Sequence, residues 1–202
     1  MKWIITISAI LLFALAGCGK DKQSTNELIT VDVTKNYPEK ELTLQDFMDV
    51  EYIPLETNDE FVTQGKVMAI GAEVILITNW ANDGNLFVFD RKTGKALKKI
   101  NRKGQGGEEY VGITEIVLDE ANKEIFVIAY TGSKISVYDL DGNFKRSFKA
   151  AGTESHVNTF NYDRENLISY VPDNSLENPS NAIPPYYLIF SKQDGSITRK
   201  IS

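Results

Sequence analysis

Few side chains in this sequence could carry covalent or metal chemistry. The chain has one cysteine, Cys18, and one histidine, His156. An intramolecular disulfide requires two cysteines, and a zinc centre built on several histidines requires more than one, so the chain can form neither by itself. Calcium prefers carboxylate oxygens, but the acidic residues of the turn-rich stretches lack EF-hand spacing. These acidic residues are Asp83, Glu108, Glu109 and Asp173. We therefore predict no cofactor and keep calcium as the alternative.

Cys18 ends an N-terminal stretch that is typical of a bacterial signal peptide. Lys2 gives it a positive start, and residues 4–14 form an apolar run that is short for a membrane span. The run ends in Leu-Ala-Gly-Cys at residues 15–18, which resembles the lipobox of bacterial lipoproteins, where the cysteine is diacylated and becomes the mature N-terminus. We predict a signal peptide over residues 1–17 and a lipid anchor on Cys18. The alternative is an ordinary secretory signal with a chance cysteine.

The rest of the composition is that of a folded soluble protein. Hydrophobic residues make up 42% of the chain and charged residues 25%, with a net charge of -6. Because binding to phosphate backbones needs surplus lysine and arginine, this charge argues against a nucleic-acid partner. Residues 18–28 are nearly free of apolar side chains, which predicts a flexible tether. In the following segment, residues 29–64, Thr43 to Asp46 predict one capped helical turn with Leu44 and Phe47 packed inward.

Three segments of the sequence repeat one pattern. Each has a run rich in β-branched and aromatic residues, then a turn with a glycine, then a second and more polar run. The first runs cover residues 86–90, 135–139 and 188–191, and the turn glycines are Gly94, Gly142 and Gly195. Glycine supplies the positive φ that such hairpin turns need. Asp90 and Asp139 stand 49 residues apart, so the repeat is about 50 residues long.

Two further strand-like runs precede each hairpin, which makes every repeat a four-stranded antiparallel meander. These runs cover residues 67–70 and 74–78, 115–119 and 125–130, and 157–162 and 167–171. A repeat of about 50 residues with four strands is typical of a β-propeller blade. We therefore predict an all-β fold, a partial propeller ring of about three blades at residues 65–103, 111–150 and 156–202. A sandwich of similar hairpins is the alternative.

Three motifs give the sequence a resemblance to a known family. Residues 51–57 (EYIPLET), the hairpin FVFDRKTGK and residues 103–110 (KGQGGEEY) are similar to six-bladed β-propeller lipoproteins of Gram-negative gut anaerobes, which are related to NHL-repeat propellers. The resemblance runs from Val50 to the C-terminus, and Gly107 stands where the family often has proline. It implies six blades, of which the sequence holds about three, and an N-terminal strand that completes the last blade. A gene fragment, a split reading frame and a dimer of half-rings are alternative explanations.

The strand order predicts where ligand-binding residues gather. In a meander, the loops between the second and third strands and the connections between blades emerge at one end of the sheet. Aromatic, cationic and histidine side chains in these loops are candidates for ligand contact, although packing between blades would also suit the aromatic ones. The candidates are Trp80, Arg102, Tyr110, Tyr130, His156 and Tyr186. Residues 104–107 precede no helix, which favours a turn between blades over a phosphate-binding loop.

These observations lead to one main functional hypothesis and two alternatives. We predict a lipid-anchored binding module of the bacterial cell envelope, at the outer membrane, whose ligand is a glycan or a peptide. A lactonase-like or lyase-like enzyme with a metal on the propeller axis is the first alternative, although a fold alone does not establish an activity. A non-functional truncated fragment is the second.

Overall fold

The computed structural model describes residues 31–129, 134–149, 157–172 and 184–202. The chain divides into two compact units after Val50. The second unit, Glu51–Ser202, contains all twelve β-strands of the described residues. In the described part of the chain, no helix has the length and apolar character that a membrane span requires. Cys18 and the predicted signal peptide lie outside the described residues.

The described part of the first unit holds one short helical turn, at Leu44–Asp46. The turn is of the 3-10 type, and the Thr43 backbone N–H donates to Asp46 Oδ2 over 2.8 Å. The prediction of a capped turn is therefore confirmed. The prediction that Leu44 and Phe47 pack inward is wrong, because both side chains are exposed. A turn of three residues is too short to form an apolar face that could be buried.

Three four-stranded antiparallel sheets make up the second unit, and each is a simple meander. Blade 1 contains β1 (Lys66–Ile70), β2 (Val74–Thr78), β3 (Asn85–Asp90) and β4 (Ala96–Asn101). Blade 2 contains β5 (Glu115–Asp119), β6 (Glu124–Ile128), β7 (Lys134–Asp139) and β8 (Phe144–Lys149). Blade 3 contains β9 (Val157–Asn161), β10 (Asn166–Val171), β11 (Tyr186–Ser191) and β12 (Ile197–Ile201). The all-β fold with repeated four-stranded sheets is thus confirmed.

The turns between the third and fourth strands follow the glycine pattern of the sequence. Gly94, Gly142 and Gly195 have φ values of 69°, 83° and 74°. Residues with a Cβ rarely adopt a positive φ, so glycine is the residue that closes these turns without strain. Each glycine also packs closely against the blade or segment before it, which leaves no room for a Cβ.

The sheets are arranged radially, with the first strand of each blade innermost. β1 lies beside β5, and β5 lies beside β9. The middle strands β2 and β6 are buried along their whole length, because their sheets are covered on both faces. The outer strands β4, β8 and β12 are mostly exposed. This gradient from centre to edge is that of a propeller blade, and three such blades form a partial ring.

Apolar clusters fill the two junctions between blades. The first joins Leu76, Leu86 and Val88 of blade 1 to Ile125 and Val127 of blade 2. The second joins blade 2 to blade 3, and its members include Phe126, Val137, Leu167, Leu188 and Phe190. Burial of apolar area stabilises these junctions by roughly 25 cal/mol per Å².

A third apolar cluster covers the free face of blade 1. Phe61 lies against Phe87 and Phe89, with ring centroids 5.9 and 5.8 Å apart, and Ile53 and Leu55 pack beside them. The N–H of Glu56 donates to the carbonyl of Gly94 over 2.8 Å. The segment before β1 is therefore fixed to blade 1 by apolar contacts and by backbone hydrogen bonding.

Candidate binding face

The loop between β2 and β3 presents the most exposed aromatic ring of the candidate set. Trp80 is 71% exposed. The Nζ of Lys66 lies 5.2 Å from the centre of the Trp80 ring, a cation–π contact that involves one ring face. The Trp80 ring therefore has the Lys66 cation over one face and a large surface open to solvent.

Hydrogen bonds hold the backbone on both sides of Trp80. Asn79 Oδ1 accepts from the N–H of Gln64 over 2.8 Å, and Asn79 Nδ2 donates to Asp83 Oδ2 over 2.8 Å. The N–H of Ala81 donates to Gln64 Oε1 over 3.1 Å. Because these bonds tie the loop to the segment before β1, Trp80 stands on a restrained backbone. Binding to such a residue costs less conformational entropy than binding to a mobile one.

Asp83 is the acidic residue at the centre of this loop. Its carboxylate accepts from the N–H of Asn85 over 2.9 Å and from Asn85 Nδ2 over 2.7 Å. Partial burial acts to raise the pKa of Asp83, but the hydrogen bonds from Asn79 and Asn85 outweigh it and the pKa is lowered. The carboxylate is therefore ionised at neutral pH, with both oxygens already engaged by the loop.

The connection from blade 1 to blade 2 lies against the same loop. Lys103 Nζ donates to the carbonyl of Asn82 over 2.8 Å, and the N–H of Ile113 donates to Asn82 Oδ1 over 2.9 Å. Asn82 has a φ of 49°, a left-handed conformation that asparagine tolerates better than most residues. The structure thus brings together two of the loops that strand order assigns to one end.

Tyr110 serves as a packing residue. It is 1% exposed, and its ring meets the Tyr138 ring edge-on at a centroid distance of 5.9 Å. Its hydroxyl donates to the carbonyl of Gly84 over 2.7 Å and accepts from the N–H of Arg102 over 3.1 Å. Burial raises the pKa of Tyr110. A ligand has no open ring face to stack on here, so we remove Tyr110 from the set of candidate contacts.

Arg102 and Tyr186 are held by neighbouring groups. Arg102 is exposed, but its Nε donates to the carbonyl of Gly142 in blade 2 over 3.1 Å. Tyr186 is half-buried against the junction between blades 2 and 3, and Lys200 Nζ lies 3.8 Å from its ring centre. Neither contact places these residues beside Trp80. Tyr130 and His156 lie outside the described residues.

The glycine-rich stretch at residues 104–107 forms a turn between blades. Its carbonyl groups, with that of Glu109, surround the Lys134 ammonium at distances of 3.3, 2.8 and 2.9 Å for Gly106, Gly107 and Glu109. The Tyr138 hydroxyl donates to the carbonyl of Glu108 over 2.7 Å. Carbonyls that converge on a cation offer nothing to a phosphate, which needs donors.

The inner strands of the three blades line an open groove of about 590 Å³ along the axis. Its carboxylates are engaged with the backbone of neighbouring blades. Glu120 accepts from the N–H groups of Ala72, Glu73 and Val74, and Glu115 accepts from those of Asn158 and Thr159. Within the described ranges, no group of three or more histidine, cysteine or acidic residues is placed to hold a metal ion.

The residues that restrain Trp80 were absent from the sequence-based site. These residues are Gln64, Lys66, Asn79 and Asn82. Their contacts form only when the chain folds, and Gln64 and Asn79, for example, are 15 residues apart in the sequence. The one local signal is the density of asparagine, aspartate and glycine at residues 79–85, which is typical of a hydrogen-bonded turn.

Comparison with known proteins supports the architecture. The profile of a family named DUF5128, described as a 6-bladed beta-propeller, matches residues 19–202. The crystal structure of a protein of Bacteroides fragilis NCTC 9343, assigned as exported, is similar with a TM-score of 0.56 and 20% identity. The match covers 78% of this chain and 43% of that protein. The designed protein Ika4 aligns with a TM-score of 0.42 and 16% identity, over 75% of this chain and 79% of Ika4. No curated protein matches the chain.

Proposed function

Because the chain belongs to this family of six-bladed β-propellers, we propose that it is a ligand-binding module that a lipid on Cys18 anchors to the outer membrane of the bacterial cell envelope. The observation that carries the binding role is the exposed ring of Trp80 on a loop fixed by Gln64, Asn79 and Asp83. Tryptophan is among the residues that most often dominate binding energy, and a rigid scaffold with functional loops is the usual arrangement of binding proteins.

A glycan is the ligand class that this surface suits best. The free face of an indole ring offers a flat apolar area. The loop beside it carries the amides of Asn82 and Asn85 and the carboxylate of Asp83, whose oxygens have lone pairs that can accept from a ligand hydroxyl in addition to their hydrogen bonds within the loop. Lys66 lies over the Trp80 ring and adds a donor beside it. A sugar ring has both an apolar face and a rim of hydroxyls, and it therefore complements both kinds of group.

The binding role is tested by Trp80→Ala on a glycan array with the purified full chain. We expect the wild type to bind a subset of glycans, and the variant to lose at least about 30-fold in affinity, which corresponds to about 2 kcal/mol. Tyr162→Ala is the matched control, since Tyr162 is an exposed aromatic residue after β9, at the opposite end of the sheet. Binding to peptides in place of glycans, or equal affinities of the two variants, would contradict the glycan proposal.

The anchor is tested separately by Cys18→Ser. We expect the wild-type protein to incorporate an alkyne-labelled fatty acid and to sediment with membranes, because several buried acyl chains at about 0.8 kcal/mol per CH₂ give a durable anchor. The Cys18→Ser protein should remain unlabelled and stay in the supernatant, whereas Ser24→Ala in the predicted tether should behave as wild type. Labelling of the Cys18→Ser protein would show that the lipid is elsewhere.

A further inference from the structure

The side-chain oxygens of the loop between β2 and β3 already accept hydrogen bonds from the protein. Asp83 Oδ1 accepts from the N–H of Asn85, and Asp83 Oδ2 accepts from the side-chain amides of Asn79 and Asn85. Asn82 Oδ1 accepts from the N–H of Ile113. The loop therefore uses its acceptors, including its one carboxylate, to hold its own conformation.

Two lysines lie against this loop with donors to spare. The Lys66 ammonium lies over the Trp80 ring, and Lys103 Nζ donates to the carbonyl of Asn82. Among the described residues, neither ammonium forms an ion pair, and that of Lys66 has no hydrogen-bond acceptor either. The ammonium of Lys134, by contrast, donates to three carbonyls. Because an ammonium carries three N–H donors, most donors of Lys66 and Lys103 remain available to a ligand.

The repeat shows that Lys66 departs from the structural use of its position. Lys66 is the first residue of β1, and Glu115 holds the same register at the start of β5. The Glu115 carboxylate accepts from the N–H groups of Asn158 and Thr159 over 2.6 and 3.0 Å and so joins blade 2 to blade 3. A lysine has no acceptor and cannot join blade 1 to blade 2 in this way. Packing between blades therefore does not account for the charge at position 66.

The charge beside Trp80 is opposite in sign to that of the whole chain, which is -6. The Asp83 carboxylate is held by the loop, and Glu109 of the neighbouring connection accepts from the N–H of Gly106 over 2.7 Å. Lys66 is half-buried, and hydrogen bonds to a charged group gain strength where water is partly excluded. The local electrostatics therefore favour an anionic group in a ligand that covers the Trp80 ring.

We propose that the glycan bound at Trp80 is acidic and that its carboxylate or sulfate group accepts hydrogen bonds from the Lys66 ammonium. This inference rests on the proposed glycan-binding function of the Trp80 loop. The sugar ring covers the open surface of the indole, and the anionic substituent extends past the edge of the indole to the ammonium. Lys103 adds positive potential from the other side of the loop. A neutral sugar leaves the ammonium with water alone, so the charge of the ligand sets the specificity.

Matched pairs of glycans test the charge of the ligand. Hyaluronan and polygalacturonate are each compared with their carboxyl-reduced forms, and dextran sulfate is compared with dextran, by biolayer interferometry on the purified full chain. We expect at least one acidic member to bind at least about 10-fold more tightly than its neutral partner. This preference should shrink as the salt concentration rises from about 0.05 to about 0.5 M. The carboxylate pairs and the sulfate pair distinguish the two sources of negative charge.

Variants of Lys66 assign the preference to this side chain. Lys66→Met removes the charge and keeps an apolar stem, and we expect acidic and neutral partners to bind this variant within about 2-fold of each other. Lys66→Arg keeps the charge and should keep the preference. The matched control is Lys95→Met, which removes the same charge from the exposed turn between β3 and β4, at the opposite end of blade 1. The preference of Lys95→Met should equal that of the wild type.

The outcomes separate this inference from the function on which it rests. Equal binding of acidic and neutral partners, binding confined to neutral glycans, or a preference that survives in Lys66→Met would overturn the inference and leave the glycan-binding function in place. Binding of poly-glutamate in place of the acidic glycans would show that the anion belongs to a peptide and would overturn both. Binding to no glycan, charged or neutral, would also overturn both.

Discussion

Lys192 is the most deeply buried cation among the described residues, and it joins two blades. Its Nζ lies 2.5 Å from Asp119 Oδ2 in blade 2 and 2.5 Å from the carbonyl of Asp163 in blade 3. Both side chains of the ion pair are almost completely buried. At the equivalent place between blades 1 and 2, the strand registers put Leu140 and Gly71. The fold can therefore close this junction without charge.

The contrast gives a prediction at the residue scale. Lys192→Leu alone leaves the Asp119 carboxylate buried without its partner, and we expect it to destabilise the protein by about 3–5 kcal/mol. The double variant Asp119→Leu, Lys192→Leu should regain most of this loss, since both charges are gone. Urea denaturation of the three proteins measures the free energies. A double variant as unstable as the single one would indicate that the pair contributes more than mutual neutralisation.

Glu124 adds a second buried charge to the same junction. Arg146 donates to both of its carboxylate oxygens over 2.7 Å, and Lys145 forms a further ion pair with it. Burial acts to raise the pKa of Glu124, but Arg146 and Lys145 outweigh it and the pKa is lowered. Because the folded-state pKa lies below the ordinary value, this stabilisation is complete at neutral pH and is lost as the pH falls through the lowered pKa.

At the scale of secondary-structure elements, glycines in turns and connections differ in how well their positions would tolerate a side chain. The turn between β7 and β8 places Gly142 at a φ of 83°, with the Ile100 side chain 2.8 Å from the position of a Cβ. In the connection from blade 1 to blade 2, Gly107 has an ordinary φ and no atom within 4 Å of a Cβ. A Cβ would therefore be strained at Gly142 but would meet no atom at Gly107.

These constraints predict opposite outcomes for the same substitution. Gly142→Ala should destabilise the protein by about 1–3 kcal/mol, because it adds backbone strain and a clash with Ile100. Gly107→Ala should be neutral or slightly stabilising, since it restricts the unfolded chain without strain in the folded one. Thermal or urea unfolding of both variants measures the difference. Equal stabilities would show that the turn at Gly142 adjusts its backbone at no cost.

At the scale of the whole molecule, the open ring predicts unequal stability of the blades. Blade 2 has a blade on each side, and β6 is buried along its whole length. Among the described strands, blade 3 has a neighbouring blade on one side only, and Phe160 and Tyr187 are 59% and 46% exposed. Local opening costs less where fewer apolar contacts are lost. We expect amide hydrogen exchange in β6 to be at least about 10-fold slower than in β11. Mass spectrometry of the exchanged protein measures the two rates. Equal protection would indicate that both faces of blade 3 are covered.

The sequence by itself determined the repeat, and with it the fold class. The alternation of apolar strands and glycine turns depends only on residues close together in the sequence, so the strands of all three blades were predicted within a few residues. The same local order predicted Trp80 as a candidate for ligand contact, because a turn between two strands must reach the surface. The lipid anchor on Cys18 also depends only on local sequence, and it stays a prediction.

Only the tertiary structure decided which side chains are free to bind. Tyr110 and Trp80 are both aromatic loop residues, yet one fills a junction and the other faces solvent. The difference arises from contacts between residues far apart in sequence, such as Tyr110 with Gly84 and Gln64 with Asn79. The docking of the segment before β1 has the same origin, since Ile53 and Pro54 contact Gly94 about 40 residues further along the chain. Local pattern specifies strands and turns, whereas burial depends on how the sheets pack.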